Sequence, residues 1–95
     1  MKLSLKITSF LNQVLMNNKD GFFLLAESGR IDHAHHGVQA HLALDETLAL
    51  DLAVEEAVRT LGKEAQDTLI IVTADHSHTM SFQGYSARGS DITGL

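Results

Sequence analysis

Two short apolar runs constrain this chain more than any other feature: Phe22-Phe23-Leu24-Leu25-Ala26 and Thr68-Leu69-Ile70-Ile71-Val72-Thr73-Ala74. Both are uncharged and too short for a stable helix, and the second is β-branched at its centre. Such runs predict strands buried on both faces. Between them, from about Val38 to Leu61, the spacing predicts a long helix. Its inward stripe is Ala43, Thr47, Leu50, Val54, Ala57, Val58 and Leu61. Asp45, Glu46, Glu55, Glu56, Arg59 and Lys63 face outward, and Gly62 stops it. Leu3, Ile7, Phe10, Leu11, Val14 and Leu15 predict an amphipathic helix over about residues 2–17. Two such strands joined by a helix form a βαβ unit, with parallel strands and a right-handed crossover. The predicted fold class is therefore α/β, part of a mainly parallel sheet sandwiched by helices. Two strands and two helices cannot close that sheet, so residues 1–95 read as a single partial domain from the middle of a larger α/β protein.

Composition narrows the function classes. The chain is 44% hydrophobic and 20% charged, which is a globular balance. Its formal charge of −5 argues against nucleic acid as a partner. With no cysteine, a disulfide scaffold, a thiolate zinc finger and an iron–sulfur site are excluded. No stretch is apolar for long enough to span a membrane. Polar residues interrupt Met1 to Met16 too often for a signal peptide, and no cleavage pattern follows. Six histidines are many for this length, and they cluster.

The clusters lie where an open α/β sheet collects ligands, beyond the carboxyl ends of its strands. Glu27 follows the first run, with Asp32, His33, His35 and His36 close behind; Asp75, His76 and His78 follow the second. Parallel strands would bring both clusters to one edge. Carboxylate with imidazole and no sulfur suits zinc at a catalytic site, and Glu27, an oxygen ligand, suits a harder ion such as magnesium. Asp32 and His36 are spaced i, i+4, so one helical turn would aim both at one metal. Taken singly, an Asp-His pair is more often a surface or capping feature; the meeting of two clusters favours a metal. His41 reads as an ordinary partly buried residue, and Arg30 as the partner of a nearby carboxylate. Ser77 lacks the strand-to-helix elbow of a nucleophile. Phe82 and Tyr85 are expected to anchor a polar, glycine-dotted tail.

These residues also carry a resemblance. The run from Gly21 to His36, ending Glu27-Ser28-Gly29-Arg30-Ile31-Asp32-His33-Ala34-His35-His36, resembles the metal segment of animal-type alkaline phosphatases. Thr73-Ala74-Asp75-His76-Ser77-His78 resembles their second metal segment, and Ser81 to Tyr85 with Arg88-Gly89-Ser90 continue the likeness. The resemblance is strongest over residues 21–85. Ser28 stands where that family usually has Gly, and Gly37 where Glu is common. The resemblance implies phosphate monoester hydrolysis with two zinc ions and one magnesium, through a serine nucleophile and a phosphoseryl intermediate. By position, Glu27 resembles a magnesium ligand, Asp32 and His36 ligands of the first zinc, and Asp75 and His76 ligands of the second. His33, His35 and His78 match histidines that orient ligands. The chain contains no Asp-Ser pair, so no catalytic nucleophile is assigned here, and the chain by itself is expected to be inactive. The resemblance further implies a homodimer of the full-length protein, an extracellular or cell-surface location, and membrane attachment only through a lipid anchor absent from this chain. Two other readings compete: a non-catalytic metal-binding remnant or interaction module, and a related metallohydrolase such as a sulfatase, phosphodiesterase or phosphomutase.

Overall fold

The fold is that of a computed structural model, which describes Ile7 and residues 10–93, apart from the side chains of Asn12 and Gln13. The expected helix over residues 2–17 therefore falls partly outside the described residues. Its described end is helical, with a π-helical turn over Leu11–Leu15 that buries Leu11. Two α-helices follow: α1, Arg30–His36, and α2, Ala40–Leu61. A 3₁₀ helix, Gly62–Asp67, continues from α2.

The core is small because it is built from small residues. α1 packs against α2, and the π-helical turn and the 3₁₀ helix also touch α2. Ala34, Ala43, Ala53, Leu11 and Leu61 are its buried hydrophobic residues. Alanine lets helix backbones approach closely, but it removes little apolar surface from water. The inward stripe expected on α2 is only partly inward. Ala43 and Leu61 are buried, Leu50, Val54 and Ala57 are half-buried, and Thr47 and Val58 are exposed. The Thr47 hydroxyl instead donates to the Ala43 carbonyl at 2.8 Å, one turn back along its own helix. Leu44, Leu48 and Leu52, at i, i+4 and i+8, form an exposed second stripe.

The α/β expectation is overturned. Among the described residues there is no strand and no sheet. No backbone hydrogen bond joins residues 22–26 or 69–74 to another segment among them. The reason is that a strand, unlike a helix, closes no hydrogen bonds within itself; it is stable only beside a neighbour. The crossover helix that should cover the two runs lies against α1 instead. Exposure still alternates along the second run, as in an extended chain: Leu69 is 84% exposed and Ile71 74%, against 39% for Ile70. Phe23 in the first run is 87% exposed. Phe82 and Tyr85 are exposed as well, so they do not anchor the tail as expected. The Cα radius of gyration is 16.8 Å, against about 12 Å for a compact domain of this length. The apolar runs therefore add surface to this chain, not core.

Local signals fare better. α2 ends at Leu61, where Gly62 takes φ 54° and its N–H donates to the Val58 carbonyl. It begins two residues later than expected, at Ala40, because residues 37–39 form a tight turn that closes α1.

Candidate metal centre

The site draws on one regular element, α1, and on the irregular segment of residues 75–78. The Arg30–His36 span of α1 makes Asp32 and His36 neighbours on one face. The Asp32 carboxylate is the hub. His36 Nε2 lies 3.5 Å from Asp32 Oδ2. From the segment after the second apolar run, His78 Nε2 lies 3.7 Å and His76 Nε2 3.9 Å from Asp32 Oδ1. Asp75 Oδ2 is 3.2 Å from His76 Nε2. The two sequence-distant clusters do meet, although no sheet brings them together.

The rings pack as well as point. His35 stacks on His78 with centroids 4.9 Å apart, and His36 meets His78 edge-on at 4.7 Å. His78 is consequently well covered, while His36 and His76 are more than half exposed. His33 is exposed on α1 and is not part of the cluster of ligand atoms. Glu27 is exposed, and its carboxylate lies near Gly29, where an added Cβ would come within 3.2 Å of Oε1. The structure does not bring Glu27 to the imidazole cluster among the described residues.

Hydrogen bonds sort the histidines by tautomer. The Thr79 N–H donates to His78 Nδ1 at 2.8 Å. An Nδ1 that accepts leaves the neutral ring's proton on Nε2, facing Asp32. His76 is the reverse: Nδ1 lies 2.9 Å from the Ser77 carbonyl, to which it can only donate. Its Nε2 is then the free lone pair in the neutral ring, and it faces Asp75 and Asp32. The Ser77 carbonyl, then the negative charge of Asp75, and to a lesser degree that of Asp32, raise the His76 pKa above its ordinary 6.5, against a small opposing effect of burial. A raised pKa makes His76 stabilise the metal-free fold most fully below pH 6.5, and that contribution fades as pH rises through the raised value. The expected result is an NMR titration of His76 in the metal-free chain with its midpoint above 6.5; a midpoint at or below 6.5 would contradict this geometry.

The donor set can be tested for a metal. Asp32 Oδ1 is buried without a hydrogen-bond partner, although the His76 and His78 imidazoles lie within 4 Å of it and His36 lies beside the other oxygen. A buried carboxylate oxygen without a partner is costly. Ligand atoms from Asp32, His36 and His78 lie within 4.8 Å of one another, and the 3.5 Å between Asp32 and His36 is close to the edge of a tetrahedral zinc site, about 3.4 Å. Asp32 and His36 thus fit a zinc ion; Asp75 Oδ2 and His76 Nε2, 3.2 Å apart, form a second donor pair beside them. His78 fits a different part: binding through Nε2 would break its bond from Thr79, whereas the proton there can steady Asp32. The hydrogen bond that distinguishes His78 is invisible in sequence, since every residue except proline would carry the same N–H at position 79.

Comparison with known proteins bears on what such a centre belongs to. The family model described as Alkaline phosphatase matches residues 4–95. The chain belongs to the alkaline phosphatase family. Over 89 residues it is 53% identical to a membrane-bound alkaline phosphatase of Bombyx mori, covering 94% of this chain. It is 51% identical to the tissue-nonspecific alkaline phosphatase of Homo sapiens and 52% to that of Gallus gallus, each over 83 residues and 87% of the chain. The chain spans 16% of the length of these alkaline phosphatases. No solved structure matches it. Among the described residues, no helix is long and apolar enough to cross a membrane.

Proposed function

We propose that this chain supplies part of the metal-binding machinery of a phosphate monoester hydrolase. The observation that carries the reading is the Asp32 carboxylate, with one buried, unpartnered oxygen, faced by the imidazoles of His36, His76 and His78. Asp32 and His36 would hold one zinc, Asp75 and His76 a second, and Glu27 would contribute to magnesium in company with oxygen donors outside these residues. Zinc bound there would stabilise negative charge on phosphoryl oxygens as a Lewis acid. The side chains of this chain hold and orient. Asp32 contributes the central negative charge. His76 keeps Nε2 free by donating Nδ1–H to Ser77. His78 presents Nε2–H to Asp32, and His35 supports His78 by stacking.

The attacking group is not among these residues, because the chain has no Asp-Ser pair. Turnover would therefore belong to a longer polypeptide, and the 95 residues alone would bind metal without hydrolysis. A homodimer, a cell-surface or extracellular setting and a lipid anchor go with the family reading. The Bombyx mori relative, a membrane-bound alkaline phosphatase, supports only the setting.

A chimera tests this reading. Residues 21–85 would replace the matching segment of the Bombyx mori enzyme, with p-nitrophenyl phosphate as substrate. The chimera is expected to hydrolyse it, to lose activity to a chelator and to regain it with zinc, while the 95-residue chain alone stays inactive. A folded, zinc-replete chimera without activity would refute the assignment, and so would chelator-resistant hydrolysis by the chain alone.

A further inference from the structure

The turn between α1 and α2 holds Val38 at φ 54°, the one non-glycine residue with positive φ among the described residues. Its hydrogen bonds explain why. The Gln39 N–H donates to the Ala34 carbonyl at 2.9 Å, and the Val38 N–H to the His35 carbonyl at 3.0 Å. This nested pair is the Schellman ending of a helix, and Val38 occupies the position that the ending places in the left-handed region. Glycine is usual there because it has no Cβ to clash; a β-branched residue is the least suited. Gly37 sits one residue too early to serve, at φ −78°. Val38 is 92% exposed, so no packing offsets its strain.

The strained residue closes the helix that carries Asp32 and His36. α1 has only seven residues and begins without a side-chain cap. A helix that short is not stable by itself. It depends on its closing turn and on burial of Ala34 against α2. We propose that Val38 is a positioning residue for the metal ligands Asp32 and His36: its left-handed turn leaves α1 only partly formed in the metal-free chain, and metal binding draws the turn closed. This rests on the metal reading above. The consequence is quantitative. When the competent form is fractionally populated, apparent affinity falls by that fraction. The left-handed position costs a β-branched residue about a tenfold shift in the turn's equilibrium.

The test is Val38→Asn in the full 95-residue chain, with Co²⁺ as the spectroscopic probe. Asparagine accepts the left-handed region, and an exposed valine surrenders no packing when it is replaced. The expected result is Co²⁺ binding tightened about three- to tenfold, with an unchanged visible spectrum. The gain in helical circular dichroism on adding Co²⁺ should be smaller than in the parent chain, because α1 is already formed. Val38→Ile, which keeps the β-branch, should match the parent in both readouts. Equal Co²⁺ affinity in Val38→Asn and the parent would overturn the proposal while leaving the metal reading intact. Co²⁺ affinity insensitive to Asp32→Ala would overturn the metal reading itself, and with it this proposal.

Discussion

Replacing Asp32 with alanine is expected to weaken Zn²⁺ binding by the 95-residue chain by about a hundredfold or more. The magnitude follows from the part Asp32 plays. Groups that only orient metal ligands typically carry tenfold to hundredfold in affinity; Asp32 is the shared carboxylate of the centre. Without it, His36 and His78 would lose the carboxylate they share, and the nearby negative charge left would be Asp75, 3.2 Å from His76. Alanine would also remove a carboxylate from the first turn of α1, where it favours the helix. Asp32→Asn separates the two effects. It preserves shape and the helix more nearly, but abolishes the charge, so its affinity should fall almost as far while its helicity changes less. His33→Ala serves as the comparator, since His33 is exposed and outside the cluster. Its effect should stay below about tenfold. Isothermal titration calorimetry reads all three. Zn²⁺ affinity in Asp32→Ala equal to that of the parent would sink the assignment of Asp32 as the hub.

The second large effect concerns association. The 95-residue chain is expected to self-associate with rising concentration, and Leu69→Lys with Ile71→Lys to suppress it. Residues 68–74 combine β-branched and apolar side chains with no charge and no proline, the pattern that pairs most readily between chains. Leu69 and Ile71 are the most exposed of them, and their backbone groups have no partner in another segment among the described residues. Phe23 and Leu25 add a second exposed apolar stretch. Lysine at positions 69 and 71 places like charges on one side of an extended chain, so stacking copies would bring those charges together. Sedimentation velocity over a concentration series is the measurement. A parent chain that stays monomeric throughout would refute the expectation, and so would a doubly substituted chain that associates as strongly as the parent.

How much was legible in the sequence depended on the range of the interaction responsible. Asp32 and His36 share a helical face because four residues make about one turn, and that geometry needs nothing beyond α1. α2 ends at Gly62 for a reason equally local, a residue without Cβ at a left-handed position. The family, too, was legible, since the runs around Glu27 to His36 and Thr73 to His78 are long. Val38 shows the limit of local reading: the left-handed residue that closes α1 is this exposed valine and not the glycine beside it at position 37.

The strands were beyond reach of such signals. Apolar, β-branched composition at residues 22–26 and 68–74 states a preference for extended chain, but a strand exists only through hydrogen bonds to neighbours, and those are non-local. Among the described residues neither run has a strand neighbour, α2 packs against α1, and the runs remain largely exposed. The place of His78 was likewise decided in three dimensions. Its nearness to Asp32, its stacking on His35 and the tautomer imposed by Thr79 depend on how the chain returns to α1 after the second apolar run. Sequence by itself determined most of α2 with its glycine stop, the shared face of Asp32 and His36 and the chemistry of the ligands, because each is set within a few residues. Only the tertiary structure decided that no sheet forms among the described residues and which imidazoles surround Asp32, because both depend on contacts between segments far apart in the chain.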